Sequence, residues 1–287
     1  MKICRFDDNR IGVVRDGMVH DVTEALDVLP AYRYPFPLAD QLIANLDTLR
    51  GPMEALADKA EGKPVAEVNF LSPVANPTKI IGTPTNYMRH RAEMQADTTI
   101  QRAGGGKRRE IVDQGLFLKA NSALVGPSEG VEIRFPDRRT DHEAELGIII
   151  GRAASDISRD EALDYVAGYA IALDMVVRGP EDRSFRKSVD TYAVLGPWMV
   201  TADEFPDPDK VDFHLSIGGE VRQETNTSDM IYDCRRQISW ASEFYTLHPG
   251  DIIMTGTCQG VGRVQPGDVM HLEMEGVGAM DVAIRAH

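Results

Sequence analysis

Glu143 and Glu145 stand two residues apart in Asp141-His142-Glu143-Ala144-Glu145-Leu146-Gly147-Ile148-Ile149-Ile150-Gly151-Arg152, at the mouth of an apolar run. In an extended chain, residues i and i+2 share a face, so the two carboxylates stand side by side while Ala144 and Leu146 turn the other way. Adjacent carboxylates in a partly dry place repel each other, and a divalent cation resolves that conflict. A third acid, Asp174, is the only one in Tyr169-Ala170-Ile171-Ala172-Leu173-Asp174-Met175-Val176-Val177, which reads as a strand, where Asp is disfavoured. Three carboxylates without a neighbouring Cys or His cluster form a hard oxygen donor set, suited to Mg2+, Mn2+ or Ca2+ better than to zinc. The plain alternative for such acids is a solvated face.

A second constellation precedes the first. Met88-Arg89-His90-Arg91-Ala92-Glu93-Met94 reads as one or two helical turns, in which His90 and Glu93 share a face. A carboxylate beside a histidine holds it in one tautomer and makes it more basic, as a general base requires. A surface ion pair is the plain reading of the same two residues. Past Asp174, the charged stretch 178–190, with Arg178, Arg183, Arg186 and Lys187, reads as a loop whose plain reading is solvated charge, although cations so near Asp174 can also hold a substrate carboxylate. Gly104-Gly105-Gly106-Lys107 is not a nucleotide-binding P-loop, because Gln101 and Arg108 stand where that motif needs Gly and Ser or Thr. The polar stretch 95–114 reads instead as a long flexible loop, either a lid beside the candidate base or a plain disordered excursion.

The elements that must position these groups are mostly strands. Lys2 to Phe6, Arg10 to Arg15 and Met18 to Val22 alternate, with Asp16-Gly17 as a hairpin turn, and Thr23 is placed to cap a short helix. Leu42, Ile43, Leu46 and Leu49 predict a helix over 38–49. The proline-containing joint Ser72–Pro77 divides a small N-terminal α+β domain, 1–73, from a larger one, 78–287. There, strands are predicted at 79–82, 116–119, 131–135, 195–201, 213–217, 221–223, 252–257 and 269–275, besides the two acidic ones. Ser158 with Glu161 predicts a capping box that opens a helix through about Val166, ended by Gly168, and Ser228 is expected to cap a helix over 229–245. The fold class is α+β, predominantly β.

Composition sets the outer limits. The 287 residues can bury a full core, and 43% hydrophobic with 26% charged residues is ordinary for a soluble globular chain. A net charge of −14 argues against a nucleic-acid surface but not against a small acidic ligand, since one local cation reverses the field at a site. Cys4, Cys234 and Cys258 are too few and too scattered for a disulfide framework. With no apolar signal region at the start and no apolar window long enough for a bilayer, the expectation is a cytoplasmic protein without membrane partners.

Seven runs in order give the chain a wider resemblance: Asn86 to Glu93, Phe117-Leu118-Lys119, Asp141 to Arg152, Gly168 to Arg178, Lys187-Ser188-Val189-Asp190, Gly196-Pro197-Trp198 and Pro249 to Gly262. Over nearly all of 79–285, it resembles the fumarylacetoacetate hydrolase family. That resemblance implies a layered mixed-sheet fold, a homodimer, and Mg2+ or Mn2+ held by Glu143, Glu145 and Asp174. It also implies a His90–Glu93 dyad that activates water, Lys187 beside it, and Tyr87, Arg178 and Thr257 as substrate contacts. Members act on short 2-oxo acids, mostly acylpyruvates, by hydrolysing a carbon–carbon bond; others decarboxylate or tautomerise such acids as oxaloacetate. A fold that binds but no longer turns over is the remaining alternative. Leu173 stands where the family usually has Asn, and Cys258-Gln259 where Pro and a small residue are usual.

Overall fold

The computed structural model describes residues 1–96 and 110–287. Most of the expected lid, 95–114, therefore lies outside the described residues, while its end forms a short helix, Ile111–Gln114. The largest element is a 12-stranded mixed sheet. From one edge, its main path runs Gly62–Pro64, Met18–Asp21, Arg10–Arg15, Lys2–Phe6, Ala193–Thr201, Val166–Asp174, Ala144–Ile150, Ile252–Met254, Ile80–Gly82 and Phe117–Lys119. The N-terminal strands thus continue the sheet that carries the acids, through the pairs Lys2 with Val200 and Ile3 with Met199. A 5-stranded sheet packs nearby, ordered Glu220–Asn226, Asp212–Ile217, Val269–Met274, Gly278–Ala286 and Val131–Ile133. A small one joins Val176–Val177, Thr140–His142 and Gly262–Val264.

Strand alternation divides the core into two layers. Ala144, Leu146, Ile148 and Ile150 pack into one apolar cluster, while Ile149 packs into the other with Ala170, Ala172 and Leu195. Both faces of the strand are buried, which is why its sequence is apolar without interruption. Glu143 and Glu145 share the parity of Ile149, and Asp174 shares that of Ala170 and Ala172. The three acids therefore head one face of two paired strands, in register through Ala144 opposite Leu173.

The helices depart further from expectation. The 38–49 stripe is split into Gln41–Ala44 and Leu46–Ala57, since the Asp40 carboxylate accepts from the N–H groups of Leu42 and Ile43 and starts the helix there, leaving Leu38 exposed. Thr23 caps nothing; it opens a 3-10 turn, and its hydroxyl accepts from Ile11 N–H and bonds Asp21. Ser158 and Glu161 do bond at 2.6 Å, but only one 3-10 turn, Ala162–Tyr165, follows, because Val166 already pairs with Ile150 in the sheet and Gly168 lies inside a strand. Asp233, not Ser228, caps the long C-terminal helix, Cys234–Phe244. The charged stretch 178–190 is not all loop: Asp182 caps a helix over Arg183–Lys187.

Candidate active site and metal centre

Glu143, Glu145 and Asp174 are buried, and each offers an oxygen within 4.8 Å of the other two. That spacing lets one ion of the Mg2+, Mn2+ or Ca2+ kind touch all three, and the all-carboxylate set is the chemistry such ions prefer. The surrounding charges are equally close. Lys187 Nζ donates to Glu143 at 2.6 Å and also to Asp174, and Lys119 Nζ donates to Asp174. Arg178 lies between Asp141, at 2.7 Å, and Glu143, at 3.4 Å, while Arg139 holds the other oxygen of Asp141. Burial works against the charge on Glu143, but Lys187 and Arg178 outweigh it and hold the carboxyl down at about 2. Among the described residues, no such cation bonds Glu145. Burial first, and then the charge of Asp174, push its carboxyl well above the ordinary range, although Gly256 N–H donates to it at 2.7 Å. A bound dication would relieve that repulsion.

The dyad comes from the sheet's far edge. After the Ile80–Gly82 strand, the Asn86 amide fixes the turn by donating to the carbonyls of Tyr232 and Thr255 and accepting from Tyr232 N–H. The helix Met88–Ala96 then starts, placing His90 Nδ1 3.1 Å from Glu93 Oε2. Since Glu93 accepts, Nδ1 carries the proton and Nε2 keeps a lone pair. Glu93 is itself pinned by Gly260 N–H at 2.9 Å. Burial raises its carboxyl, but the bonds from His90 and Gly260 outweigh this and bring it below the usual range. Gly260 has φ +90°, and a Cβ there would lie 1.8 Å from Arg222 O, so no other residue fits. His90 lies within electrostatic reach of Glu143.

Of the expected substrate contacts, Arg178 is engaged with acids, as above. The Thr257 hydroxyl donates to Ala144 O at 2.8 Å and accepts from Gln223 Nε2 at 2.7 Å. Tyr87 is almost fully buried, and its hydroxyl has no partner among the described residues.

Sequence reasoning gave no role to three further groups. Lys119 is one, and the Arg139–Asp141 pair another. The third is Gln223, the one buried residue of the Glu220–Asn226 strand. Its Oε1 accepts from Ala144 N–H at 3.0 Å and meets His142 Nδ1 at 2.9 Å, while its Nε2 also donates to Cys258 O. Its position at even alternation in a hairpin strand was the available signal, but that marks only burial.

Residues 79–285 match the model of the fumarylacetoacetate (FAA) hydrolase C-terminal domain, and the chain belongs to the fumarylacetoacetate hydrolase family. Within it, the chain is 53% identical over 286 residues to a maleylpyruvate hydrolase of Aquipseudomonas alcaligenes, with all of both chains covered. A crystal structure of maleylpyruvate hydrolase from Sphingobium sp. SYK-6, in complex with manganese(II) ion and pyruvate, superposes with TM-score 0.84 at 39% identity, covering 100% of this chain and 99% of that one. An oxaloacetate tautomerase of Xenopus laevis is 33% identical over 228 residues, 75% of this chain and 68% of its own.

Proposed function

We infer that this chain is a divalent-metal-dependent hydrolase that cleaves the carbon–carbon bond of acylpyruvate-type diketo acids. The observation that carries the reading is a buried acid trio bonded by Lys187, with a histidine–carboxylate dyad within electrostatic reach of Glu143. The full-length likeness to maleylpyruvate hydrolase supports it. Glu143, Glu145 and Asp174 would hold Mg2+ or Mn2+, which when bound supplies positive charge to polarise the oxygens of a 2-oxo acid.

The chain's own residues supply the remaining steps. His90 Nε2 takes a proton from water, and Glu93 stabilises the imidazolium through Nδ1. The water oxygen adds to the acyl carbonyl carbon. The bond between that carbon and the neighbouring methylene breaks, and its electron pair moves onto the keto oxygen of the pyruvate half as an enolate. The Lys187 ammonium offsets that charge. A proton returns to the methylene carbon, so acylpyruvate plus water gives pyruvate plus a carboxylic acid. Arg178, Tyr87 and the Thr257 loop complete the substrate's surroundings in this reading.

The test is incubation of the protein with maleylpyruvate or acetylpyruvate and Mn2+, following enol absorbance and pyruvate release. Consumption of neither by the metal-loaded protein would overturn the reading. The likeness to oxaloacetate tautomerase favours a second outcome, reprotonation of an enolate without water addition. His90→Ala separates the two, because water addition depends on that base more than tautomerisation does.

We propose further that the chain works as a homodimer in a reducing, cytoplasmic setting. Supporting this, Val28, Tyr34, Phe36 and Leu38 are exposed in one N-terminal segment. Cys4, Cys234 and Cys258 are all buried free thiols, and among the described residues no helix is long and apolar enough to cross a membrane.

A further inference from the structure

Arg183 opens the short helix that ends in Lys187, so the two cations lie four residues apart on one side of it. Both sit over the same Phe117 ring, Arg183 Cζ 5.3 Å and Lys187 Nζ 5.2 Å from its centre. The ring is fixed in place, since it fills the space beside Gly82, where a Cβ would come within 2.1 Å of it. Lys187 bonds Glu143 and Asp174, so the ring it shares with Arg183 borders the place where a 2-oxo acid would bind.

Its pairing is unusual for this region. Arg138, Arg139 and Arg178 each meet a carboxylate. Arg183 has no salt bridge among the described residues; its guanidinium donates to a neutral oxygen, Gln114 Oε1, at 2.8 Å. Gln114 Nε2 in turn donates to Thr85 Oγ1 at 2.8 Å, next to the turn that leads into the His90 helix. The cation is thus held beside the acid trio by an amide that cannot neutralise it. Burial works against its charge, which Glu143, Asp174 and Asp182 offset only from a distance, and a guanidinium does not escape by losing its proton. An anion brought by the ligand would complete the pairing, as a fork of two parallel hydrogen bonds.

We propose that Arg183, positioned by Gln114 over Phe117, receives a carboxylate on the acyl side of the substrate, which makes dicarboxylic acylpyruvates the preferred class. This rests on the hydrolase reading above and adds which acyl group the site selects. The test compares wild type, Arg183→Met and Arg183→Lys on maleylpyruvate and on acetylpyruvate, which lacks the second carboxylate, with Mn2+ present. Arg183→Met is expected to lower the kcat/KM preference for maleylpyruvate by about tenfold to a hundredfold, the loss falling mainly in KM, as expected for a charge-assisted pair. Arg183→Lys recovers part of it, keeping the charge but not the fork. Equal losses on both substrates, or an unchanged preference in both variants, would overturn the assignment. If the wild type turns over neither substrate, the hydrolase reading itself falls, and the assignment falls with it.

Discussion

Lys187 is where the site's chemistry and its stability meet. Its ammonium is buried between Glu143 and Asp174, and although burial works against its charge, those two acids raise its pKa above the ordinary lysine value. Removing it leaves acids that repel, with Glu143 keeping only the longer contact to Arg178 and Asp174 keeping Lys119. Breaking a buried pair in this way costs about 3–5 kcal/mol, less whatever a metal restores. Lys187→Met is therefore expected to lower the melting temperature of the chelated protein and to show a larger rise on adding Mn2+ than wild type does. The same variant loses the cation facing the developing enolate, so kcat should drop about 10²- to 10³-fold. Calorimetry with and without Mn2+, beside a pyruvate-release assay, reads both effects. A kcat near that of wild type would remove Lys187 from the reaction.

At the level of elements, the two-glutamate strand is unusual in how its end is held. The Ile252–Met254 strand pairs with Gly147 to Ile149, and Thr255 N–H adds a bond to Leu146 O at 3.2 Å; for Ala144, next along that edge, no backbone bond on that side is made among the described residues. Gln223 and Thr257 stand in for one: the Gln223 carbonyl accepts from Ala144 N–H, and the Thr257 hydroxyl, bonded by the same amide, donates to Ala144 O. A carboxamide carries the donor and acceptor of a peptide group, so it continues the ladder at the residue between Glu143 and Glu145. Gln223→Met keeps the volume and removes the bonds. Its expected effect is a weakening of Mn2+ binding by about 10- to 100-fold, as for supports of metal ligands elsewhere, read by titration calorimetry. Unchanged affinity would mean that the strand holds its shape alone. This device also marks the limit of reading the chain unaided. Glu143, Glu145, His90 and Glu93 were legible because their spacing is local, two residues on a strand or three on a helix. Lys119 and Gln223 reach partners 55 and 79 residues away, and only the strand order brings them there. Most strands were legible from alternation. Helix starts were not, because Asp233 takes the cap that Ser228 offered, Asp40 starts its helix inside the 38–49 stripe, and the sheet claims Val166 before the turn after Ser158 can lengthen.

For the molecule as a whole, the acid trio links folding to metal and pH. Glu145, raised by burial and by Asp174, binds its proton more tightly folded than unfolded. The stability it contributes is full below the unfolded value of 4.5 and is lost as pH rises toward its folded value. Glu143 has the opposite sign: held at about 2, it contributes stability that is complete above 4.5 and lost only in acid. Of these two glutamates, Glu145 is the one whose contribution changes between pH 5 and 8, and in the chelated protein that contribution falls as pH rises. A dication reverses the dependence, since it binds the ionised carboxylate and competes with the proton. At a hundredfold excess over its dissociation constant, it adds about 2.7 kcal/mol, roughly 4–5 °C in melting temperature for a chain of 287 residues. The expected result is a gap between Mn2+-loaded and chelated protein that widens from pH 5 to pH 8 and collapses in Glu145→Gln, whose metal-free form is in turn more stable than wild type at pH 8. A gap that stays constant with pH in wild type would mean that Glu145 is ionised with or without the metal, and that Lys119 and Lys187 already neutralise all three acids.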